Sequence, residues 1–327
     1  MPTAPVFEID GLKVAYDTPD GTVEAVRGVS LTVRPGVCLG VVGESGSGKS
    51  QTFLAALGLL ARGARVEGAA RFEGQELLGR PARELNRIRG AKVAMIFQDP
   101  LTALTPHLRI GEQIAEPLIA HLGLSRKDAG AEAVAWLERV GIDDPARRAR
   151  QYPHELSGGM RQRVMIASAM ACGPQVLIAD EPTTALDVTV QAQILELMAR
   201  LKDETGCALV LITHDMGVVA RMADEVAVMR AGEVVERGDV QTLFRAPATA
   251  YARELIEASP RVDREGRGGR PEIAPVAADA PEVVAAEGLS VSFPVASGLF
   301  APRRVRQAVD GVGLRIRRGE TLGVVGE

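Results

Sequence analysis

Two segments near the start of the chain, residues 6–16 and 26–33, alternate apolar and polar residues. This two-residue period predicts antiparallel strands with one buried face. Residues 37–42 instead form a nearly continuous apolar run that ends in glycine, which predicts a strand buried on both faces of a parallel sheet. Similar short apolar runs, which predict further parallel strands, cover residues 93–97, 176–179 and 208–213.

Apolar residues recur at helical spacing in residues 51–60 and 129–140, and a long helical segment covers residues 161–172. Residues 101–160 are mostly helical in pattern, which predicts a separate helical subdomain. Strands of both kinds combined with helices predict an α/β fold.

The chain also repeats itself. Residues 25–44 match residues 308–327 at 13 of 20 positions without a gap, at an offset of 283 residues. Upstream, residues 11–16 correspond to residues 288–293. Because this offset is far longer than a solenoid repeat, it predicts two tandem copies of a whole domain.

The segment between the copies is rich in proline, glycine and alanine and keeps no strand or helix period. We therefore predict a complete domain over residues 5–258, a flexible linker over 259–286 and the start of a second domain over 287–327. We expect the chain to be a fragment of a longer protein. The last piece should pack poorly by itself, because its partner elements are missing.

Composition excludes several classes of protein. A net charge of −4 argues against a general binder of nucleic acids or anionic membranes. The longest uncharged run, residues 164–179, is too short for a bilayer, which needs about 20 apolar residues. The first residues resemble no signal peptide. The three cysteines lie far apart in apolar stretches, which predicts buried, reduced thiols and neither disulfides nor metal ligands.

Residues 43–50 (GESGSGKS) fit the P-loop pattern between a predicted strand and a predicted helix. Glycines let backbone N–H groups converge on phosphate oxygens, and the helix N-terminus adds partial positive charge. Lys49 can reach the β- and γ-phosphates, and the Ser50 hydroxyl can ligate Mg²⁺. A glycine-serine turn with a solvated lysine is the alternative, but the flanking strand and helix favour a phosphate site.

Asp180 and Glu181 follow the apolar run at residues 176–179. Ligands bind at the carboxyl ends of strands in open α/β sheets. We therefore expect Asp180 to hold Mg²⁺ through water, and Glu181 to polarise the attacking water as a general base. A helix cap would explain the acidic pair on its own, but the upstream P-loop favours the functional role.

Residues 156–160 (LSGGM) open the helical segment at 161–172. A serine hydroxyl and two glycine amides make a second helix start that suits an anion, although an ordinary N-cap has the same composition. Two such helix starts suggest one nucleotide sandwiched between two copies of the domain.

In this order, and followed by residues 213–215 (THD), these motifs resemble an ABC transporter ATPase subunit over the whole first domain. The resemblance implies a P-loop NTPase fold with a mixed core sheet, an antiparallel β subdomain and a helical subdomain. It implies that Gln98 is the Q-loop residue and His214 the switch histidine at the γ-phosphate. Residues 185–187 match the D-loop. Tyr16 matches the aromatic residue that stacks on adenine, as would Phe293 in the second copy.

The cofactors implied by the resemblance are ATP and Mg²⁺. The implied catalytic residues are Glu181, His214 and Gln98, and the implied Mg²⁺ site comprises Ser50, Gln98 and Asp180. The implied nucleotide contacts are Tyr16, Gly43, Ser45, Gly46, Gly48, Lys49, Ser50, Gln51, Ser157, Gly158, Gly159 and Asp187. Met160 departs from the commonest signature, which has glutamine there, but the serine and glycines that touch phosphate are intact.

Residues 97–106, 154–163, 180–191 and 238–251 resemble segments of di- and oligopeptide importers. The resemblance implies an ATP-hydrolysing subunit that powers import of peptides or peptide-like solutes. It implies as partners two transmembrane permeases, an exported solute-binding protein and a second ATPase domain, within the chain or in a homo- or heterodimer, and no nucleic acid. The implied location is the cytoplasmic face of the plasma membrane.

Two other functions fit parts of the sequence. A tandem ABC ATPase of ribosomes or DNA repair is one alternative, but the linker is short and no heptad pattern is present. An ATP-binding regulator without turnover is the other, and Glu181 with His214 argues against it.

Overall fold

The computed structural model describes residues 4–19, 21–184, 186–258, 276, 280–295 and 304–325. The backbone separates into two units, Met1–Pro260 and Arg261–Glu327. Most of the predicted linker lies outside the described residues, and so does Ala185 of the predicted D-loop.

The first unit combines strands and helices in alternation. Its strands are β1 (Phe7–Thr18), β2 (Gly21–Val33), β3 (Cys38–Val42), β4 (Ala64–Phe72), β5 (Gln75–Glu76), β6 (Val93–Ile96), β7 (Val176–Asp180), β8 (Ala208–Thr213), β9 (Glu225–Arg230) and β10 (Glu233–Asp239). Its helices are α1 (Lys49–Ala56), α2 (Ala82–Leu85), α3 (Pro100–Ala103), α4 (Ile110–Leu122), α5 (Arg126–Arg139), α6 (Pro145–Arg148), α7 (Gly158–Met170), α8 (Val188–Thr205), α9 (Met216–Met222), α10 (Val240–Arg245) and α11 (Ala250–Ala258).

Six strands form the core sheet, in the order β10-β9-β3-β8-β7-β6. The pairs from β9 to β6 are parallel, and β10 pairs antiparallel with β9 at one edge. Strands β3, β7 and β8 are buried along their whole length, as their continuous apolar sequences predict. The mixed sheet with its helices confirms the predicted α/β class.

A second sheet is antiparallel, in the order β2-β1-β4-β5. This antiparallel sheet, α1 and one face of the core sheet form a first hydrophobic core. The opposite face of the core sheet and the remaining large helices form a second hydrophobic core. Alternate residues of β3 point to opposite faces of the core sheet. Leu39 and Val41 belong to the core shared with the antiparallel sheet, and Cys38 and Val42 belong to the core on the other face.

The helices α3 to α6 lie in the stretch predicted to be a helical subdomain, residues 101–160, and α7 begins at the end of that stretch. Helices α4 and α5 pack against each other and against α7, and Trp136 and Leu137 of α5 are buried in their shared core. Ser125 caps α5 by accepting a hydrogen bond from the Asp128 backbone N–H. In the part of the chain that the structure describes, no helix is both long and apolar enough to cross a bilayer.

The second unit contains an antiparallel pair, β11 (Glu282–Val295) and β12 (Arg304–Arg317). Leu289 pairs with Val312 there, and the aligned residues Leu12 and Val29 pair in β1 and β2. The register breaks just before the leucine in both hairpins. The repeated sequences therefore form hairpins with the same local register. Phe293 is exposed on β11.

Candidate functional site

The loop at residues 43–50 joins β3 to α1. At two of its positions, the space and the backbone conformation require glycine. Gly48 has a φ of +95°, and a Cβ there would lie 2.4 Å from the Ala25 carbonyl oxygen. A Cβ on Gly43 would lie 2.1 Å from the Met229 carbonyl oxygen. The neighbouring backbone therefore holds the loop in a tight curve at the start of α1.

Lys49 begins α1 and is only 5% exposed. Its ammonium group donates to the carbonyl oxygens of Gly43 and Glu44, both at 2.8 Å. Burial lowers the pKa of Lys49, and the charges of Glu181 and Asp180 partly oppose that shift. The loop thus holds a buried ammonium group beside its own backbone.

Ser50 and Asp180 come together although 130 residues separate them. The Ser50 hydroxyl donates to Asp180 Oδ1 at 2.8 Å, and Asp180 is the last residue of β7. Burial raises the pKa of Asp180, while the hydrogen bond from Ser50 lowers it. A hydroxyl and a carboxylate therefore meet at the mouth of the loop.

Glu181 follows β7 with a φ of +45°, a left-handed conformation that is costly for a residue with a side chain. Its carboxylate accepts hydrogen bonds from Gln98 Nε2 and Thr184 Oγ1, both at 2.9 Å, and lies 3.1 Å from His214 Nδ1. Burial raises the pKa of Glu181, but the contacts with His214 and Thr184 outweigh it and the pKa falls below its usual value. Glu181 is therefore ionised at neutral pH and can accept a proton.

The strand order explains why these residues meet. Gln98, Glu181 and His214 each follow the carboxyl end of a parallel strand, and the three strands β6, β7 and β8 are neighbours. A cleft of about 190 Å³ opens beside them, lined by Ser45, Gly46, Ser47, Gly48, Lys49, Ser50, Gln51, Gln98 and Glu181. The buried Ser47 hydroxyl has no hydrogen-bond partner among the described residues. Backbone amides, an ammonium group and this free hydroxyl suit a phosphate chain.

The segment at residues 156–159 lies apart from this cluster. Ser157 is exposed at the N-cap of α7 and accepts from the Met160 backbone N–H at 3.4 Å. Asp187 caps α8 by accepting from the Val190 N–H at 2.8 Å. Within the described chain, no hydrogen bond or ion pair joins Ser157 or Asp187 to the P-loop.

Comparisons with known proteins identify the family of the chain. The family model described as ABC transporter matches residues 26–184. The oligopeptide transport ATP-binding protein OppD of Salmonella typhimurium is 51% identical over 81% of this chain and 79% of its own length. The chain belongs to the ABC transporter family.

Longer relatives and solved structures show the same membership. The peptidoglycan transport ATP-binding protein YejF of Agrobacterium fabrum is 44% identical over 99% of this chain, which spans 58% of YejF. A dimeric ATP-binding cassette, MJ0796, solved with ADP and phosphate, superposes with a TM-score of 0.65 at 28% identity and covers 72% of this chain and 98% of its own. The chain has an ABC ATPase fold and is an ATPase that binds ATP.

Tyr16, predicted to stack on adenine, is half-buried in this ABC ATPase and donates its hydroxyl to Gln51 Oε1 at 2.5 Å. Gln51 lies on α1 just after the P-loop, so the ring is held beside the nucleotide cleft. Its stacking role remains a prediction.

Besides Ser47 of the P-loop, two residues at the site had no assigned role in the sequence analysis. Thr184 donates to the Glu181 carboxylate. The Tyr251 hydroxyl accepts from the Glu44 backbone N–H at 3.3 Å. Thr184 lies within a recognised motif, so its position was a usable signal. Tyr251 is 207 residues from its partner, and no local pattern indicates the contact.

Proposed function

We propose that this ABC ATPase powers the import of peptides or peptide-like solutes through separate transmembrane permeases. The observation that carries the proposal is the 51% identity with OppD over four fifths of both chains. A dipeptide transport ATP-binding protein, DppD of Bacillus subtilis, is also 48% identical over 80% of this chain. The partners we propose are two permeases and an exported solute-binding protein. Binding to those permeases would place the ATPase at the cytoplasmic face of the plasma membrane.

The residues at the mouth of the P-loop fit Mg²⁺. Ser50 and Asp180 offer hard oxygen ligands. The Gln98 side chain is close to them, because it donates a hydrogen bond to the carboxylate of Glu181, the residue after Asp180. No group of three or more acidic, histidine or cysteine side chains converges among the described residues. The hydroxyl of Ser50 and the carboxylate of Asp180 suit Mg²⁺, which keeps several of its waters and binds phosphate oxygens together with one or two protein ligands. When bound, Mg²⁺ would neutralise phosphate charge during transfer.

The proposed chemistry uses the Glu181 cluster. Lys49 and the P-loop amides hold the phosphates, while the Glu181 carboxylate orients and deprotonates a water molecule. His214 and Gln98 fix the orientation of that carboxylate through their contacts with its two oxygens. We assign catalysis to these three residues.

We further propose that a second ATPase completes the ATP site. Its Ser157, Gly158, Gly159 and Asp187 would face the P-loop of the first ATPase. The exposed position of Ser157 supports this arrangement. Residues 5–258 would be one ATPase domain, 259–286 a linker whose last residues, from Glu282, already belong to β11, and 287–327 the start of another domain. The matching hairpin registers support the second copy.

The test uses cells whose only copy of the gene carries Glu181→Gln, with Glu196→Gln, exposed on α8, as the control. Uptake of labelled di- and oligopeptides should fall to the level of a gene deletion, while uptake of an unrelated sugar stays normal. In purified protein the kcat for ATP hydrolysis should fall by about 10²–10⁴. Unchanged peptide uptake in the deletion strain would refute the proposal.

A further inference from the structure

Helix α11 is fastened to the edge of the core sheet. The Glu236 carboxylate on β10 accepts from the backbone N–H groups of Ala248 and Thr249, both at 2.8 Å, and from Thr249 Oγ1 at 2.7 Å. Thr249 Oγ1 in turn accepts from the Ala252 N–H at 3.1 Å. These bonds fix the first turn of α11 and so fix the direction of Tyr251.

Tyr251 is 5% exposed and its ring is held from one side by a cation. The Arg230 guanidinium carbon lies 4.6 Å from the ring centroid. Arg230 directly follows Met229, whose carbonyl backs onto Gly43 of the P-loop. The ring is therefore wedged against the strand that supports the loop.

The hydroxyl of Tyr251 reaches one particular peptide group of the P-loop. The peptide between Gly43 and Glu44 offers its N–H to Tyr251 Oη at 3.3 Å and its carbonyl oxygen to Lys49 Nζ at 2.8 Å. The same peptide plane is thus held at both ends. Gly43 has a φ of +152° and no side chain to restrict rotation of this plane.

We propose that Tyr251 is a positioning residue that keeps the Gly43–Glu44 peptide in place while Lys49 engages phosphate. The Lys49 ammonium has three N–H donors and uses two of them on the carbonyl oxygens of Gly43 and Glu44, so a phosphate oxygen takes the third and competes for the other two. As phosphate competes for the Lys49 donors, the Tyr251 bond carries more of the restraint on that peptide. Tyr251 lies on α11, which follows the last strand of the core sheet, so part of the P-loop geometry depends on a helix beyond that sheet.

The inference rests on nucleotide binding at the P-loop and is independent of the transported solute. The proposed role belongs to the hydroxyl of Tyr251, and the ring only holds that hydroxyl in position. Losing the hydroxyl costs little in the free protein, where Lys49 holds the peptide undisturbed, and more in the complex, where phosphate oxygens compete for the Lys49 donors. The effect should therefore appear in affinity for ATP and in loop mobility with ATP bound, and leave the chemical step unchanged.

The experiment compares the full chain with Tyr251→Phe, and with Tyr152→Phe as a matched loss of a hydroxyl in the helical subdomain. Titration with a fluorescent ATP analogue should give a Kd that rises roughly two- to tenfold for Tyr251→Phe and stays unchanged for Tyr152→Phe. The kcat should stay within about twofold, because a single neutral hydrogen bond remote from the Glu181 carboxylate is removed. Amide hydrogen exchange of the P-loop peptide with ATP bound should become faster.

A second variant, Arg230→Met, frees the ring and should shift Kd and exchange in the same direction. Unchanged Kd and exchange in Tyr251→Phe would overturn the inference. So would a common fall in Tm, kcat and affinity, which marks a merely structural residue. If the wild-type chain fails to bind the analogue, the assignment of the P-loop as an ATP site is wrong. If it binds and Tyr251→Phe binds equally well, only the role of Tyr251 is wrong.

Discussion

Lys49 shows how one buried charge prepares a site. Its ammonium group is satisfied by two carbonyl oxygens of its own loop, and burial lowers its pKa. Phosphate oxygens can replace those carbonyls and supply the stronger, charge-assisted bonds.

Replacing this lysine should therefore remove most of the nucleotide affinity. We expect Lys49→Ala to raise the Kd for ATP by about 10- to 100-fold, since hydrogen bonds to charged groups contribute about 1.5–3 kcal/mol. The measurement is calorimetric titration, with exposed Lys13→Ala on β1 as the control. Equal affinities for the two variants would contradict the P-loop assignment.

The three thiols differ in burial, which corrects the prediction that all are buried. Cys38 and Cys207 are buried and Cys172 only half-buried. Burial, with the charge of Asp224, raises the pKa of Cys38 to about 12, and burial raises that of Cys207 to about 11. Because the thiolate is the reactive form, a disulfide reagent at pH 8 should label Cys172 first and the others only on unfolding in urea. Equal rates for all three thiols in the folded protein would disprove this order.

The elements could be predicted where their sequence pattern is continuous. The runs that became β3, β7 and β8 were predicted within a residue or two. Strand β4 was missed because alanine and glycine dilute its pattern, and its pairing with β1, as in Phe72 opposite Phe7, decides its conformation. The helix predicted over 51–60 ends at Ala56 because Gly58 adopts a left-handed φ of +63°, which closes its last turn.

Two helical glycines predict opposite effects of the same substitution. Gly130 lies inside α5, and a Cβ there would meet nothing within 4 Å. Gly130→Ala should raise the free energy of unfolding by about 0.5–1 kcal/mol, because alanine costs less entropy in a helix. At Gly159 in α7, a Cβ would lie 2.7 Å from Val190 Cγ1 of α8.

Gly159→Ala should consequently lower stability, since α7 and α8 must shift apart or Val190 must change rotamer. Urea unfolding followed by circular dichroism measures both variants against the wild-type chain. A gain in stability for Gly159→Ala would show that the two helices are less tightly packed than their contact indicates.

At the level of the whole molecule, the resemblance to ABC ATPases named the residues to expect at the site, and the strand order shows why three of them lie together. Gln98, Glu181 and His214 follow adjacent parallel strands, so the strand order is enough to gather them. The contact of Tyr251 with Glu44 could not be predicted, because it depends on where α10 and α11 return after the last strand. The strained φ of Glu181 was likewise invisible, because only the assembled strand ends impose it.

The proposed assembly of two ATPase copies gives the last prediction. Ser157 at the start of α7 is exposed and the P-loop cleft is open to solvent, and in the proposed assembly a second ATPase domain would cover both. Glu181→Gln should bind ATP and hydrolyse it slowly, and should therefore run as a dimer in size-exclusion chromatography with light scattering when Mg-ATP is in excess. Adding Lys49→Ala to the same chain should restore the monomer, because the nucleotide then no longer bridges the interface. A monomeric Glu181→Gln protein saturated with Mg-ATP would mean that the Ser157 helix start does not complete the nucleotide site.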